Sequence, residues 1–530
     1  MTCWTSCNIR ARGWIALLVI ALLPGCEAEQ ATAPAAEPAA STSPASVAAP
    51  DASAEPRTAA AEENWDVFYL GDARIGYGVT RRRPSPDDAA LIETETHIRL
   101  KIRRFDEQTE SELKFSTVQT AAGELRQARG VAEMGGTPMT FVGVVAGNQL
   151  RAKTTAGGKS VQSEIPWNAK CHGFFAIDDS LRRSPMKAGE SRSIRMLLPV
   201  LNSLADVELR AVEEETTELL SGRKKLLRIE SVTTLADKQS IADTLWTDAS
   251  GRTLKSVNAA MKQVVYRTTK EIAEQTQPGA VLDIGKLTLV KTPQPLNNPH
   301  GRKQIQYRVE LSGGDPAKAF ASDIGQQVTA TSDGKAKLTV RAIRPDDPRA
   351  DKLADLGKPT PPGDDERLPN SYLQSDDAQV IKLAQQAAGE EKDPWRTALA
   401  LQRFVNQKIT KKNFSKTFAT ASDVAANLSG DCTEHAVLLA ALARARGIPS
   451  RVALGLVYVP SEQAFGFHMW TEVYIRDRWI GLDGTLGQGG LGAGHLKLTT
   501  TSLKEGDAMS SFLPVAQVLG RLKIEEITPE

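Results

Sequence analysis

The chain has 530 residues, with 65 Lys and Arg set against 64 Asp and Glu, and it is 41% apolar and 5% aromatic. That length exceeds one domain and suggests about three or four. The balanced charge leaves neither a basic stripe for nucleic acid nor an acidic interaction tail, so nucleic-acid binding drops out as a function class.

The first 25 residues read as a targeting segment. Arg10 and Arg12 precede a short apolar run, Trp14 to Leu23, that is too short to favour a spanning helix. Leu23-Pro24-Gly25-Cys26 follows. It resembles a bacterial lipobox, which implies cleavage before Cys26 and lipidation of that cysteine, with ordinary secretion as the alternative. Cleavage would remove Cys3 and Cys7 and leave Cys26, Cys171 and Cys432. No disulfide framework is then required, and nothing in the spacing supports a Cys171–Cys432 bridge. Residues 26–64 are Ala, Pro, Ser, Thr and Glu with almost no large apolar side chain. Such a stretch cannot bury a core and reads as a disordered tether with a reach of about 30–35 Å.

From Trp65 the pattern is β. Val67 and Tyr69, then Ile75, Tyr77 and Val79, flank a Gly71-Asp72 turn. Over Leu91 to Arg103, Ile92, Thr94, Thr96, Ile98, Leu100 and Ile102 share one face, while Glu93, Glu95, His97, Arg99, Lys101 and Arg103 share the other. This predicts a long strand with one wet face, on which His97 is solvated and not a ligand. Residues 65–280 thus read as an antiparallel β domain and 281–345 as a smaller one. Cys171-His172 lies in the first; neighbours on a strand point to opposite faces, so the pair reads as structural. The Pro-, Asp- and Gly-rich residues 346–370 read as a linker, 371–505 as the domain that carries the chemistry, and 506–530 as a C-terminal tail.

Helical periodicity begins at Asp376 and stops at Gly389; Asp393-Pro394 opens a second helix, and Ala421 to Leu428 a short third. Next comes Ser429-Gly430-Asp431-Cys432-Thr433-Glu434-His435-Ala436, with Gly447 and Pro449 marking the stop. Asp431 occupies the N-cap position and Glu434 completes a capping box, so Cys432 is the first residue of an apolar helix. Free N–H groups and the helix dipole there favour thiolate over thiol, relative to an ordinary thiol pKa of about 8.5.

Two further strands supply partners. Phe467 to Tyr474 alternates, Trp479 to Thr485 follows, and Arg476-Asp477 is the turn between them. Pairing Ile475 with Arg478 sets Trp470 opposite Asp483 and makes His468 and Asp483 diagonal neighbours on one face. A one-residue slip would separate them. Cysteine, imidazole and carboxylate are the groups an acyl-transfer site needs: nucleophile, proton carrier and orienter.

These stretches resemble the transglutaminase-like superfamily. The resemblance rests on Gly430-Asp431-Cys432, Arg444-Ala445-Arg446-Gly447-Ile448-Pro449-Ser450-Arg451, His468-Met469-Trp470-Thr471-Glu472-Val473 and Asp483-Gly484-Thr485, and covers roughly residues 376–500. Gly484 stands where many members have proline, a departure that could loosen the loop after Asp483. The resemblance implies a papain-like fold and a catalytic triad of Cys432, His468 and Asp483. The expected architecture is α+β and multidomain, with antiparallel β domains preceding a papain-like core.

Trp470 and Glu472 share the His468 face, and either shape the site or pack and pair within it; Glu434 supports the helix start. His435 is expected to pack or cap, and His495 to sit in a Gly-rich loop. No HExxH, CxxC pair or EF-hand loop is present, so neither metal nor cofactor is expected. The combined expectation is an exported, lipid-anchored thiol enzyme that acts on amide bonds of a protein or peptide, as a protease, amidase or transglutaminase. The alternative is a non-catalytic envelope binding or scaffold protein.

Overall fold

A computed structural model describes residues 62–527, apart from 105–106, 134–137, 157, 237, most of 276–288, 348–359, 412–418 and 505–509. The targeting segment, Cys26 and nearly all of the tether lie outside the described residues.

Residues 62–268 form a fifteen-stranded sheet of two meanders set back to back. They join where Glu62–Leu70 pairs with Gln263–Thr268. The two-residue turn at Gly71-Asp72 connects Glu62–Leu70 to Ala73–Pro84. The alternation along Leu91–Arg104 is kept: Thr94, Thr96, Ile98, Leu100 and Ile102 are buried, while Arg99 and Lys101 are exposed. His97 stands on the polar face, 2.5 Å from Glu112 Oε1. The sheet rolls so that its two ends meet. Phe141, Leu150 and Ile165 from one end pack with Cys171 and Leu197 from the other. Cys171 is thus a core thiol, and both Cys171 and Cys432 are free of disulfides. Inside the roll lies the helix Ala176–Arg183, whose buried Asp179 is hydrogen-bonded by Gln119. A cavity of about 140 Å³, lined among others by Thr94, Phe174, Asn258 and Gln263, separates this helix from the strands.

The segment expected as a small β domain does not close on itself. Its strands Gln304–Leu311, Gln326–Ala330 and Ala336–Arg341 form a four-stranded sheet with Leu522–Ile527. The stretch expected as a C-terminal tail therefore supplies an edge strand. Its apolar residues Leu522 and Ile524 are buried, which a free tail would not allow. Val290–Lys291 pairs with the strand that carries His468. One continuous apolar core joins all these parts.

The third sheet holds Ser450–Val459 between Ala464–Ile475 and His495–Thr501, with Arg478–Leu482 and Val290–Lys291 on Ala464–Ile475. The helices Ala378–Ala388, Pro394–Lys408 and Ala421–Asn427 flank the Cys432–Ala445 helix. That helix is buried all round from Cys432 to Arg444, as expected of a central helix that is apolar on every face. Beyond its polar first turn, Thr433 to His435, Arg444 is the one polar residue of this buried helix. Its guanidinium bonds the carbonyls of Ser450, Leu368 and Ser502, fastening the helix end to three segments. Among the described residues no helix is long and apolar enough to cross a membrane.

Candidate active site

Cys432 opens its helix and is 2% exposed. The Asp431 carboxylate accepts from Thr433 N and Thr433 Oγ1, each at 2.9 Å. Glu434 returns the contact, accepting from Asp431 N at 2.9 Å and from Ala419 N at 3.1 Å. Gly430 makes this turn possible. Its φ is +148°, and a Cβ there would lie 2.3 Å from the Cβ of Glu434. Burial pushes the Glu434 carboxyl up to about 8, and the neighbouring Asp431 charge adds to that rise. His435 serves the cap, its Nδ1 lying 2.6 Å from the Asp431 carbonyl oxygen.

The hairpin has the register that the alternation predicts, with Ile475 paired to Arg478 and Thr471 to Leu482. Arg476 and Asp477 both adopt left-handed backbone, with φ of +51° and +56°. Two successive positive φ values are what a tight two-residue hairpin turn requires, although neither residue is glycine. The register carries Asp483 to His468: His468 Nε2 lies 2.7 Å from Asp483 Oδ2, and both side chains are 1% exposed.

Asp483 is held on every side. Its Oδ1 accepts from Thr485 N at 2.7 Å and Leu486 N at 3.0 Å. Burial alone would raise its carboxyl, but the His468 and His495 contacts reverse this and hold it well below the usual carboxylate range. The loop after it is braced by the Pro394–Lys408 helix. Gln402 Nε2 donates to Asp483 O, and Asn406 Nδ2 to the carbonyls of Gly484 and Thr485. Glycine at 484 therefore does not leave the loop loose.

His495 departs from expectation. It is not a loop residue but the first residue of the His495–Thr501 strand, 3% exposed, with Nε2 2.9 Å from the same Asp483 Oδ2. Nothing in its Gly-rich surroundings shows this, because the pairing depends on strand Ser450–Val459 lying between it and His468. Gln402 and Asn406 could have been flagged: they are polar and four apart, beside the buried Leu401 and Val405.

For Trp470 and Glu472 the structure favours packing and pairing. Trp470 stacks on His468, with ring centroids 6.3 Å apart, and meets His495 edge-on at 5.3 Å. Glu472 pairs with Arg451 Nη2 at 2.7 Å and with Lys497. Burial raises the Glu472 carboxyl, but Lys497 and Arg451 outweigh that and lower it to about 2.

His468 Nδ1 is buried and has no hydrogen-bond partner. Hydrogen bonds at a catalytic ring often form only once substrate binds. With Nε2–H donated to Asp483, Nδ1 carries the lone pair a general base needs. The ligating atoms of His468, Asp483 and His495 lie within 4.8 Å of one another, a spacing a metal ion could use, but here they bond to each other.

A family model described as the transglutaminase-like superfamily matches residues 381–484. The chain carries a transglutaminase-like domain. The matched span includes Cys432, His468 and Asp483, and ends before His495. No curated protein matches the chain. Among solved structures, a proposed cysteine protease from Cytophaga hutchinsonii is 19% identical over 44% of this chain and 79% of its own, with a TM-score of 0.25. A β-barrel-like protein of the unknown-function family DUF1849 from Brucella abortus is 7% identical over 39% of this chain and 94% of its own, with a TM-score of 0.30. The periplasmic domain of TgpA from Pseudomonas aeruginosa, bound to ethylmercury, is 17% identical over 40% of this chain and 87% of its own, with a TM-score of 0.22. The transglutaminase-like domain follows an N-terminal region built mostly of antiparallel sheet.

Proposed function

We propose that the protein is an exported thiol enzyme acting on amide bonds of a peptide or protein, through an acyl-enzyme at Cys432. The observation that supports this best is the buried His468–Asp483 contact of 2.7 Å, which leaves Nδ1 as a base. In the forward step Cys432 transfers its proton to His468 Nδ1, and the sulfur bonds to the substrate carbonyl carbon. Backbone N–H groups at the helix start stabilise the oxyanion. The C–N bond then breaks, and His468 returns the proton to the leaving amine. Water or a second amine next attacks the thioester, giving its proton to His468 and releasing the thiol. Asp483 stays ionised throughout and holds the ring. Lipidation of Cys26 would tether the enzyme to a membrane in the cell envelope.

The test is covalent. In the mature chain, iodoacetamide should label Cys432 faster than it labels a free thiol at neutral pH, and His468→Ala should slow that labelling. A Cys432 rate no faster than that of free cysteine, or one indifferent to His468→Ala, refutes the proposal. The cavity in the sheet domain favours a second role, binding, for the upstream region. If Cys432→Ala leaves the cellular phenotype intact, the protein is a binding scaffold and not an enzyme.

A further inference from the structure

We propose that His495 is a positioning residue for this site, a second imidazole that shares the Asp483 carboxylate with His468 and fixes its orientation. The inference rests on the thiol chemistry proposed above. Asp483 can only accept at Oδ2, so both imidazoles that reach it, His468 Nε2 at 2.7 Å and His495 Nε2 at 2.9 Å, must donate. With two backbone donors on Oδ1, the carboxylate meets four hydrogen bonds and has no freedom to rotate. Removing the His495 donor leaves Oδ2 tied to His468 alone, so the carboxylate and the angle of His468 are held less tightly.

The surroundings of His495 favour a neutral ring with its proton on Nε2. Asp483 faces it from the loop after Arg478–Leu482, and His468 and Trp470 face it from Ala464–Ile475. His300 meets it edge-on at 5.6 Å, itself held by Nε2 2.8 Å from the Tyr458 carbonyl. The nearest cation on its own strand, Lys497, is committed to Glu472 and Asp323. Burial, ahead of all these, lowers the His495 imidazole to about 4, so it donates as a neutral group at working pH. The glycines before it belong to this arrangement. A Cβ on Gly492 would lie 1.8 Å from the His300 carbonyl oxygen, so only glycine lets the chain pass His300 on its way to His495.

The experiment measures iodoacetamide labelling of Cys432 by peptide mass spectrometry between pH 5 and 9 in the mature chain. His495→Phe fills the space without donating, and His495→Gln can donate to Oδ2. We expect His495→Phe to slow labelling at pH 7 by about tenfold, a fraction of the roughly 10²–10⁴-fold that positioned acid–base groups contribute. Its pH midpoint should move upward, because a loosened His468 holds the thiolate less well. His495→Gln should recover to within about threefold of the wild-type rate. A folded His495→Phe with wild-type rate and midpoint overturns the proposal, as does a His495→Gln that labels as slowly as His495→Phe. If His495→Phe does not fold, His495→Met takes its place in the same comparison. If His468→Ala also labels at the wild-type rate, the thiol chemistry itself fails, an outcome distinct from failure of His495 alone.

Discussion

Glu472→Gln removes the charge from a buried trio without changing the shape of the side chain. In the wild type, Glu472 is 3% exposed and lies between Arg451 and Lys497, itself 7% exposed. Its carboxyl falls from the ordinary 4.5 to about 2. At about 1.4 kcal/mol per pH unit, that fall stabilises the folded state by about 3 kcal/mol at neutral pH. The sign follows from the lowered value: the stabilisation is complete above pH 4.5 and is lost as pH falls towards 2. Lys497 keeps Asp323 as a partner, so the variant should lose about 3 kcal/mol and not the full cost of an isolated buried charge. Urea unfolding at pH 7 should show a midpoint lower by about 1 M, given a slope on the order of 3 kcal/mol/M. The gap between wild type and variant should close as pH drops from 4.5 to 2.5. Cys432 labelling by the folded variant should stay within about twofold of wild type, because Glu472 pairs with cations and not with the site. A pH 7 midpoint unchanged by Glu472→Gln would refute the trio as a source of stability. A large loss of labelling in a folded variant would refute its separation from the chemistry.

Glu434 runs the other way. Its raised carboxyl binds a proton more tightly folded than unfolded, so its stabilising share is full below about pH 4.5 and lost as pH rises through about 8. Glutamine mimics the protonated carboxyl, so wild type and Glu434→Gln should be close in stability at pH 5, and the wild type should fall increasingly below the variant as pH rises to 8; a constant difference in denaturation midpoint argues against it. Gln402→Leu strips the donor from the Asp483 carbonyl, so it should cost about 1–2 kcal/mol in urea unfolding and slow Cys432 labelling a few-fold. Asp477→Gly relieves a left-handed residue at φ +56° and should raise the thermal midpoint, with a gain of about 0.5–1 kcal/mol; a lower midpoint contradicts the turn geometry.

What the sequence reveals here is what repeats locally. The capping box at Asp431 and Glu434, the stop at Gly447, the proline-led helix at Pro394 and the alternation from Leu91 each depend on residues a few positions apart, and each is present in the structure. The His468–Asp483 contact was legible for the same reason, since a two-residue turn fixes the register of a hairpin. The rest depends on partners chosen at long range. Leu522–Ile527 finds Gln304–Leu311 more than 200 positions away, and no local period signals that. His495 reaches Asp483 only because Ser450–Val459 pairs with both Ala464–Ile475 and His495–Thr501, which brings two histidines of one sheet to one carboxylate. A histidine after a run of glycines reads as loop because glycine usually marks turns. Here Gly492 is present for close approach, and that approach delivers the ring. The same long-range step makes Asp483 a shared acceptor and not the end of a three-residue relay. The orientation of His468 is then set from two strands and a loop together, so substitutions well outside the matched span should reach the thiol through that one carboxylate.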